Sequence, residues 1–313
     1  MKETQVKAIK ARLKEKRGIL LAHNYQPAEI QALADLTGDS LELSLKAAQT
    51  DAELIVFCGV LFMAETASIV SPDKTVLLPR TDAGCPMADM VTSESLQQRL
   101  AQAGSMPVVT YVNSSASVKA ASTICCTSAN VAAVVNHLAE EEILMVPDRN
   151  LAQYAATKTT KKIHYWDGYC PIHDGLTPNH VHLAKAAHPE ALFMAHPECR
   201  PEVLALADAV LSTSGMLRFA KDSDRREFIV GTEEGLIHPL QEANPRKQFY
   251  RVSENMICPD MKKISPDDIL EALEGRKNEI KVPENVRGPA AIAVNRMLEI
   301  TKRYNLPSRT YSS

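Results

Sequence analysis

The sequence predicts an α/β fold built from three similar units, each a short parallel sheet covered by helices on both faces. One observation is the alternation of short apolar strands with helical segments along the whole chain of 313 residues. A second is a cysteine-proline turn that recurs at Cys85-Pro86, Cys170-Pro171 and Cys258-Pro259, at intervals of 85 and 88 residues. Nearly equal spacing of this kind indicates an internal repeat.

The first unit is predicted to begin with an amphipathic helix over residues 2–17. Val6, Ile9 and Leu13 have helical spacing beneath a basic face, and Glu3 and Glu15 argue against a targeting peptide. Alternating strands and helices follow: strands at 19–22, 54–57 and 75–78, and helices at 27–36, from 39 onwards and at 61–70.

The second and third units repeat this order. The second has predicted strands at 107–112, 123–126, 143–146 and 162–165, with a helix at 150–156. The third has predicted strands at 191–195, 209–211, 227–230 and 248–252. The tail at 264–304 is predicted to form helices that pack back on the first unit. The domain prediction is therefore 1–84 completed by 262–313, then 85–169, then 170–261.

A register of 17 residues supports the repeat. Ser40 follows His23 by 17 residues, Ser128 follows Tyr111 by 17, and Thr213 follows His196 by 17. In each pair a polar residue ends one strand, and a serine or threonine ends the next strand and opens a helix. Because ligands of parallel sheets bind beyond the carboxyl ends of the strands, the three edges are expected to face one central site.

Composition excludes several classes of protein. The net charge of −3 and the single tryptophan, Trp166, disfavour a nucleic-acid platform, which needs a basic surface and stacking side chains. No run of 18 or more apolar residues predicts a membrane span, and no secretory signal is apparent. We therefore expect a cytoplasmic protein without a nucleic-acid or membrane partner.

The recurrent cysteines Cys85, Cys170 and Cys258 are predicted to meet in space and to hold a metal or cluster, because thiolates select iron-sulfur centres or zinc. Structural zinc usually takes four ligands and close Cys-x-x-Cys pairs, so a four-iron cluster with one iron free of cysteine fits better. The remaining cysteines are expected to be inert core residues: Cys58, Cys125, Cys126 and Cys199.

Two further sets of residues are candidates for the site. The first consists of polar residues at strand ends or near the turns: His23, Asn24, Tyr25, Tyr111, Asn113, His173, His196 and Glu198. Glu198 is a candidate general base if its surroundings raise its pKa towards neutrality. The second consists of residues at helix starts, which either cap the helices or bind an anionic substrate through free N–H groups: Ser40, Ser128, Ser212 and Thr213.

Motifs along nearly the whole chain resemble those of the quinolinate synthase family of bacterial and archaeal NAD biosynthesis. They are His23-Asn-Tyr-Gln26, Gly38-Asp-Ser40, Gly84-Cys-Pro-Met87, Tyr111-Val-Asn113, Thr127-Ser-Ala-Asn130, Gly168-Tyr-Cys-Pro-Ile-His173, His196-Pro-Glu-Cys199, Ser212-Thr-Ser-Gly215, Gly231-Thr-Glu-Glu-Gly235 and Cys258-Pro259. The resemblance implies three αβα-sandwich domains around a pseudo-threefold axis, with the active site at the centre. It also implies condensation of iminoaspartate with dihydroxyacetone phosphate to quinolinate, with loss of phosphate and two waters, and a functional link to an oxidase or dehydrogenase that makes iminoaspartate.

The resemblance also implies roles for individual residues. Cys85, Cys170 and Cys258 correspond to the ligands of one [4Fe-4S] cluster per chain, whose open iron acts as a Lewis acid. Tyr25 and Glu198 resemble the family's proton-transfer residues. The residues that resemble its substrate-binding set are His23, Ser40, Tyr111, Asn113, Ser128, His173, His196, Ser212 and Thr213. Two alternatives from other classes are a cluster-based redox or iron sensor and a zinc enzyme of similar architecture.

Overall fold

The computed structural model describes residues 3–104, 106–275 and 277–304, so the parts of the predicted helix and domains at 1–2, 105, 276 and 305–313 lie outside it. The described chain is α/β and contains three four-stranded sheets in which all strands are parallel. The predicted fold class is confirmed at this level.

The twelve strands among the described residues fall into three consecutive groups of four. The first sheet contains β1 to β4, which are Gly18–His23, Leu36–Gly38, Leu54–Cys58 and Thr75–Leu77. The second contains β5 to β8, which are Val108–Tyr111, Ile124–Cys126, Glu142–Val146 and Lys162–Tyr165. The third contains β9 to β12, which are Leu192–Ala195, Ala209–Val210, Glu227–Gly231 and Gln248–Arg251.

Strand order is the same in all three sheets. It is β2-β1-β3-β4 in the first, β6-β5-β7-β8 in the second and β10-β9-β11-β12 in the third. In each sheet the first strand along the chain lies between the second and the third, so its carboxyl end is near the middle of the sheet edge. This shared topology is the structural counterpart of the sequence repeat, and it places corresponding residues at corresponding positions.

Helices connect the parallel strands, as crossover connections require. Those of the first unit are α1 to α4, which are Glu3–Glu15, Ala28–Gln31, Ser40–Gln49 and Leu61–Val70. Those of the second are α5 to α8, which are Ser93–Ala103, Ala116–Ala120, Val131–His137 and Arg149–Ala156. The remaining helices are α9 to α15, which are Pro171–Asp174, Pro178–Ala187, Pro201–Leu204, Thr213–Asp222, Ile237–Ala243, Pro266–Gly275 and Glu284–Arg303.

Local sequence signals explain the elements that matter most for the site. The helix α3 begins with a capping box, in which the Asp39 carboxylate accepts N–H groups of the first turn and Glu42 accepts the N–H of Asp39. The strand β3 is buried along its whole length, as expected for a strand covered by helices on both faces. The capping box therefore defines where α3 begins, and the buried strand β3 anchors the sheet beside which α3 lies.

One prediction for the first unit is wrong. Residues 27–36 do not form a single helix: α2 ends at Gln31, and β2 begins at Leu36. The connecting residue Asp35 exchanges hydrogen bonds with Leu20 of β1, since its N–H donates to the Leu20 carbonyl at 2.9 Å and its carboxylate accepts the Leu20 N–H at 2.8 Å. Pairing with β1 therefore outweighs the local helical spacing.

The C-terminal helices contact two units. The helix α14 packs against α1, whereas α15 packs mainly against α6 and β6 of the second unit and also against α4 of the first. The domain boundaries drawn from the sequence stay a prediction. None of the helices in the described part of the chain has both the length and the apolar composition needed to cross a membrane.

Candidate active site

A cavity of about 990 Å³, partly open to solvent, lies where the three units meet. It brings together nearly all the candidate residues of the sequence, namely His23, Tyr25, Ser40, Cys85, Tyr111, Asn113, Ser128, Cys170, His173, His196, Glu198, Thr213 and Cys258. Ser212 is not among the lining residues; it is the N-cap of α12, and its Oγ accepts the Gly215 N–H at 3.2 Å.

The strand ends deliver equivalent residues to this cavity. His23 is the last residue of β1, Tyr111 is the last residue of β5, and His196 directly follows β9. The partners of the 17-residue register also converge, with Ser40 opening α3 and Thr213 opening α12. Ser128 differs, because it lies in a turn three residues before α7 begins. The register therefore identifies equivalent positions but not identical local structure.

Three cysteines reach the cavity from the turns that follow the last strand of each sheet. Cys85, Cys170 and Cys258 are partly exposed and line the same cavity. Burial raises the pKa of the Cys85 thiol to about 12 and that of Cys170 well above its ordinary value. Thiols of this kind become thiolates at neutral pH only when a positive charge such as a metal binds them. Three soft donors at one cavity fit an iron-sulfur cluster that keeps one iron free of protein ligands.

A continuous chain of hydrogen bonds crosses one wall of the cavity. Tyr25 Oη lies 2.5 Å from Thr232 Oγ1, which lies 2.8 Å from His173 Nε2. His173 Nδ1 lies 2.8 Å from Glu198 Oε2, and Glu198 Oε1 accepts the Tyr111 hydroxyl at 2.7 Å. Because all five side chains are buried, these hydrogen bonds are stronger than the same bonds would be in water.

The pKa of Glu198 contradicts one expectation. Burial alone would raise it, but attraction to His173 and His196, with hydrogen bonds from His173 and Tyr111, holds the pKa of Glu198 below its ordinary value. The role of general base that the sequence suggested for Glu198 requires a raised pKa. The pKa is lowered instead, so that expectation is wrong. Glu198 is instead an ionised acceptor that orients His173 and Tyr111.

The two strand-end histidines are neutral. Burial lowers the pKa of both His23 and His196 to about 3. In His23 the Nδ1 atom accepts the Tyr25 N–H at 3.2 Å, and in His196 the Nδ1 atom accepts the Glu198 N–H at 3.4 Å. Both rings therefore carry their proton on Nε2, which in His196 lies 3.2 Å from Ser128 Oγ. Neutral N–H donors of this kind suit oxygen atoms of a bound substrate.

The residues that support Tyr25 and Cys258 form a second layer that the sequence reasoning missed. Lys262 Nζ donates to the Tyr25 carbonyl at 2.7 Å and pairs with the Glu233 carboxylate at 2.8 Å. Glu233 in turn accepts the Cys258 N–H at 3.1 Å. Gly235 packs so closely on Tyr25 that a Cβ atom there would lie 2.7 Å from the Tyr25 backbone.

A sequence signal for part of this layer exists. Thr232 and Glu233 belong to the Gly231-Thr-Glu-Glu-Gly235 motif, which follows the third strand of the third unit. The 17-residue register does not extend to that strand, and the motif therefore has no assigned role at the level of sequence. Its position at a strand end was the available signal.

Comparisons with known proteins cover almost the whole chain. The family model described as Quinolinate synthetase A protein matches residues 7–299. A quinolinate synthase of Geotalea uraniireducens is 57% identical over 294 residues, which cover 94% of this chain and 97% of that protein. One of Geobacter sp. strain M21 is 54% identical, covering 96% and 99%. A protein of Methanosarcina acetivorans named quinolinate synthase 1 is 52% identical, covering 92% and 95%.

Proposed function

Because the chain belongs to the quinolinate synthase family, we propose that it condenses iminoaspartate with dihydroxyacetone phosphate to quinolinate, with loss of phosphate and two waters. This would make it a transferase-type, carbon–carbon bond-forming enzyme of de novo NAD biosynthesis. The observation that carries the proposal is one cavity in which three cysteines, each following the last strand of a different sheet, meet strand-end histidines, tyrosines and a glutamate.

We further propose that Cys85, Cys170 and Cys258 hold one [4Fe-4S] cluster per chain. The support is the chemistry of the donor set, since these three thiols line one cavity and the other four cysteines are fully buried elsewhere. When bound, the cluster would supply a Lewis-acidic iron with an open coordination position.

The side chains of the hydrogen-bonded wall would handle the protons of the reaction. Enolisation and dehydration require a proton to leave carbon and a proton to reach a departing oxygen. Burial raises the pKa of Tyr25 well above its ordinary value, so its hydroxyl stays protonated and can donate to a substrate oxygen. The proton is replaced through Thr232 from His173, and the Glu198 carboxylate stabilises the positive charge whenever His173 carries two protons.

Substrate anions would be bound without direct ion pairs. No lysine or arginine is among the described residues that line the cavity. The starts of the ten-residue helices α3 and α12 face it through Ser40 and Thr213, and helix N-termini attract phosphate and carboxylate groups. The neutral histidines His23 and His196 add N–H donors. Iminoaspartate would come from an oxidase or dehydrogenase that acts on the corresponding amino acid.

The test is anaerobic reconstitution with iron and sulfide, followed by assay of quinolinate from the two substrates. We expect quinolinate and phosphate in equal amounts, and only in protein that shows the broad brown absorption of a cluster. A colourless protein that makes quinolinate would favour the zinc enzyme and overturn the cluster. A cluster-loaded protein without product formation would favour the sensor and overturn the proposed reaction.

A further inference from the structure

Three side chains at the cavity wall form a compact donor set of mixed chemistry. The ligand atoms of Cys170, His173 and Glu198 all lie within 4.8 Å of one another. His173 Nδ1 lies 3.1 Å from Cys170 Sγ and 2.8 Å from Glu198 Oε2. The side chains of His173 and Glu198 are only 2% and 4% exposed, which separates this set from the exposed acidic clusters that are common on protein surfaces.

The backbone holds these donors in place. Cys170 is the N-cap of α9, and His173 lies three residues further on, so both side chains point to the same side. Glu198 comes from the turn after β9, which is also tied to the second unit because Asn150 Nδ2 donates to the Glu198 carbonyl at 3.0 Å. Ideal Zn–N and Zn–S bond lengths place ligand atoms about 3.5 Å apart in a tetrahedral site. Cys170 Sγ and Glu198 Oε2 therefore need to move slightly away from His173 Nδ1, while they already lie within 4.8 Å of each other.

Outer hydrogen bonds complete the arrangement that zinc sites need. A metal-bound histidine usually has its second ring nitrogen bonded to an oxygen, and here His173 Nε2 lies 2.8 Å from Thr232 Oγ1. The second carboxylate oxygen of Glu198 accepts the Tyr111 hydroxyl at 2.7 Å. One thiolate, one neutral imidazole and one carboxylate also balance the charge of a divalent cation, which lowers the cost of placing that ion in a buried site.

We propose that the cluster-free protein binds one Zn²⁺ through Cys170 Sγ, His173 Nδ1 and Glu198 Oε2, with a water from the cavity as fourth ligand. Zinc fits because this borderline ion takes thiolate, imidazole and carboxylate together, with an open position at non-structural sites. The zinc form excludes the iron-sulfur cluster, because each needs Cys170. That exclusion rests on the cluster ligation proposed above, whereas zinc binding does not.

Zinc binding is tested by anaerobic titration of the metal-free protein with Zn²⁺ against a chromophoric chelator. We expect one tight site per chain, weakened at least tenfold in His173→Ala and in Glu198→Gln. Cys85→Ala is the matched control, since it removes a predicted cluster ligand but no proposed zinc ligand, and it should bind zinc as the wild type does. Circular dichroism and thermal unfolding of each variant show whether it is folded. If His173→Ala does not fold, Glu198→Gln still tests the site, because glutamine preserves the shape of the side chain.

Equal zinc affinity in the wild type, His173→Ala and Glu198→Gln would overturn the site. Loss of binding in Cys85→Ala would also overturn it, because the zinc would then sit on the three recurrent cysteines. Replacement of Zn²⁺ by Co²⁺ adds a spectroscopic check: a thiolate-to-cobalt absorption band should disappear in Cys170→Ala and persist in Cys85→Ala.

The exclusion is tested by loading zinc first and then adding iron and sulfide anaerobically. We expect cluster absorption to fall in proportion to bound zinc and to return after chelation and renewed reconstitution. Equal cluster loading with and without zinc would overturn the exclusion. If neither sample forms a cluster, the proposed cluster ligation fails and the exclusion fails with it, while the titration still decides the zinc site.

Discussion

The seven cysteines of this chain fall into two groups that share a functional group but not an environment. Cys85, Cys170 and Cys258 follow the last strand of each sheet and are partly exposed to one cavity. The other four are 0% exposed and lie in or beside strands: Cys58, Cys125, Cys126 and Cys199. Position within the repeated unit, and not residue type, separates candidate ligands from core residues.

Acidity does not separate the two groups. Burial raises the pKa of the Cys170 thiol at the cavity and also raises the pKa of the Cys126 thiol in the core. A high pKa suppresses thiolate formation in both places, so the difference between them is access to a metal and convergence with other donors. The same Cys→Ala substitution is therefore expected to have opposite outcomes in the two groups of cysteines.

The largest effect is expected from removal of a cavity cysteine. Replacing any one of Cys85, Cys170 or Cys258 by alanine should abolish cluster retention and quinolinate formation, because two thiolates are too few to hold the cluster. Cys126→Ala is the matched control and should keep both. Iron content, visible absorption and product formation after anaerobic reconstitution provide the measurement. Normal iron content after replacement of a cavity cysteine, or loss of the cluster in Cys126→Ala, would contradict the division into ligand and core cysteines.

A second prediction separates cluster binding from turnover within the cavity itself. Glu198→Gln should retain the cluster but lower kcat by about 10²–10⁴-fold. The neutral amide cannot stabilise a protonated His173, and it offers the Tyr111 hydroxyl an uncharged acceptor in place of a carboxylate. The assay is steady-state product formation normalised to iron content. Unchanged kcat at full iron content would remove Glu198 from proton transfer.

The pH dependence of stability should report the buried histidines of the cavity wall. His23 and His196 have a pKa of about 3 when folded and an ordinary value of 6.5, so the unfolded chain binds more protons between these values. The free energy of unfolding should therefore fall as pH is lowered through that window, by about 1.4 kcal/mol per pH unit for each histidine. Denaturant unfolding of the metal-free protein at a series of pH values checks this. The slope should be shallower in His23→Gln, and an identical slope would show that His23 does not carry it.

The smallest effect is expected in the core. Cys58→Ala removes one sulfur atom from a fully buried strand and should lower the free energy of unfolding by about 1 kcal/mol, with no change in kcat per cluster. Denaturant titration and the product assay measure the two quantities. Loss of activity at unchanged stability would instead place Cys58 with the cavity cysteines that take part in function.

Sequence reasoning predicted the three-unit α/β fold because strand burial and turn recurrence are local signals repeated along the chain. It failed at residues 27–36, where hydrogen bonds between Asp35 and Leu20 of a neighbouring strand decide the structure. The helices α5 and α6 are also absent from the sequence-based predictions. Helical spacing alone does not reveal a partner strand that is distant in sequence.

The candidate site shows the same limit. Strand-end residues such as His23 and His196 were found because they share a register position. Thr232 was missed, although it joins Tyr25 to His173, because its role exists only where the first and third units meet. The lowered pKa of Glu198 could not be foreseen either, since it depends on partners from other parts of the chain, including Tyr111 of the second unit.

The proposed cluster ligands are best tested by a crystal structure of the anaerobically reconstituted protein, with anomalous scattering measured at the iron edge. We expect one iron-sulfur cluster per chain, bonded to the Sγ atoms of Cys85, Cys170 and Cys258, with one iron facing the cavity and free of cysteine. Iron held by any other set of residues, or a cavity in which one of these three thiols does not touch iron, would contradict this expectation.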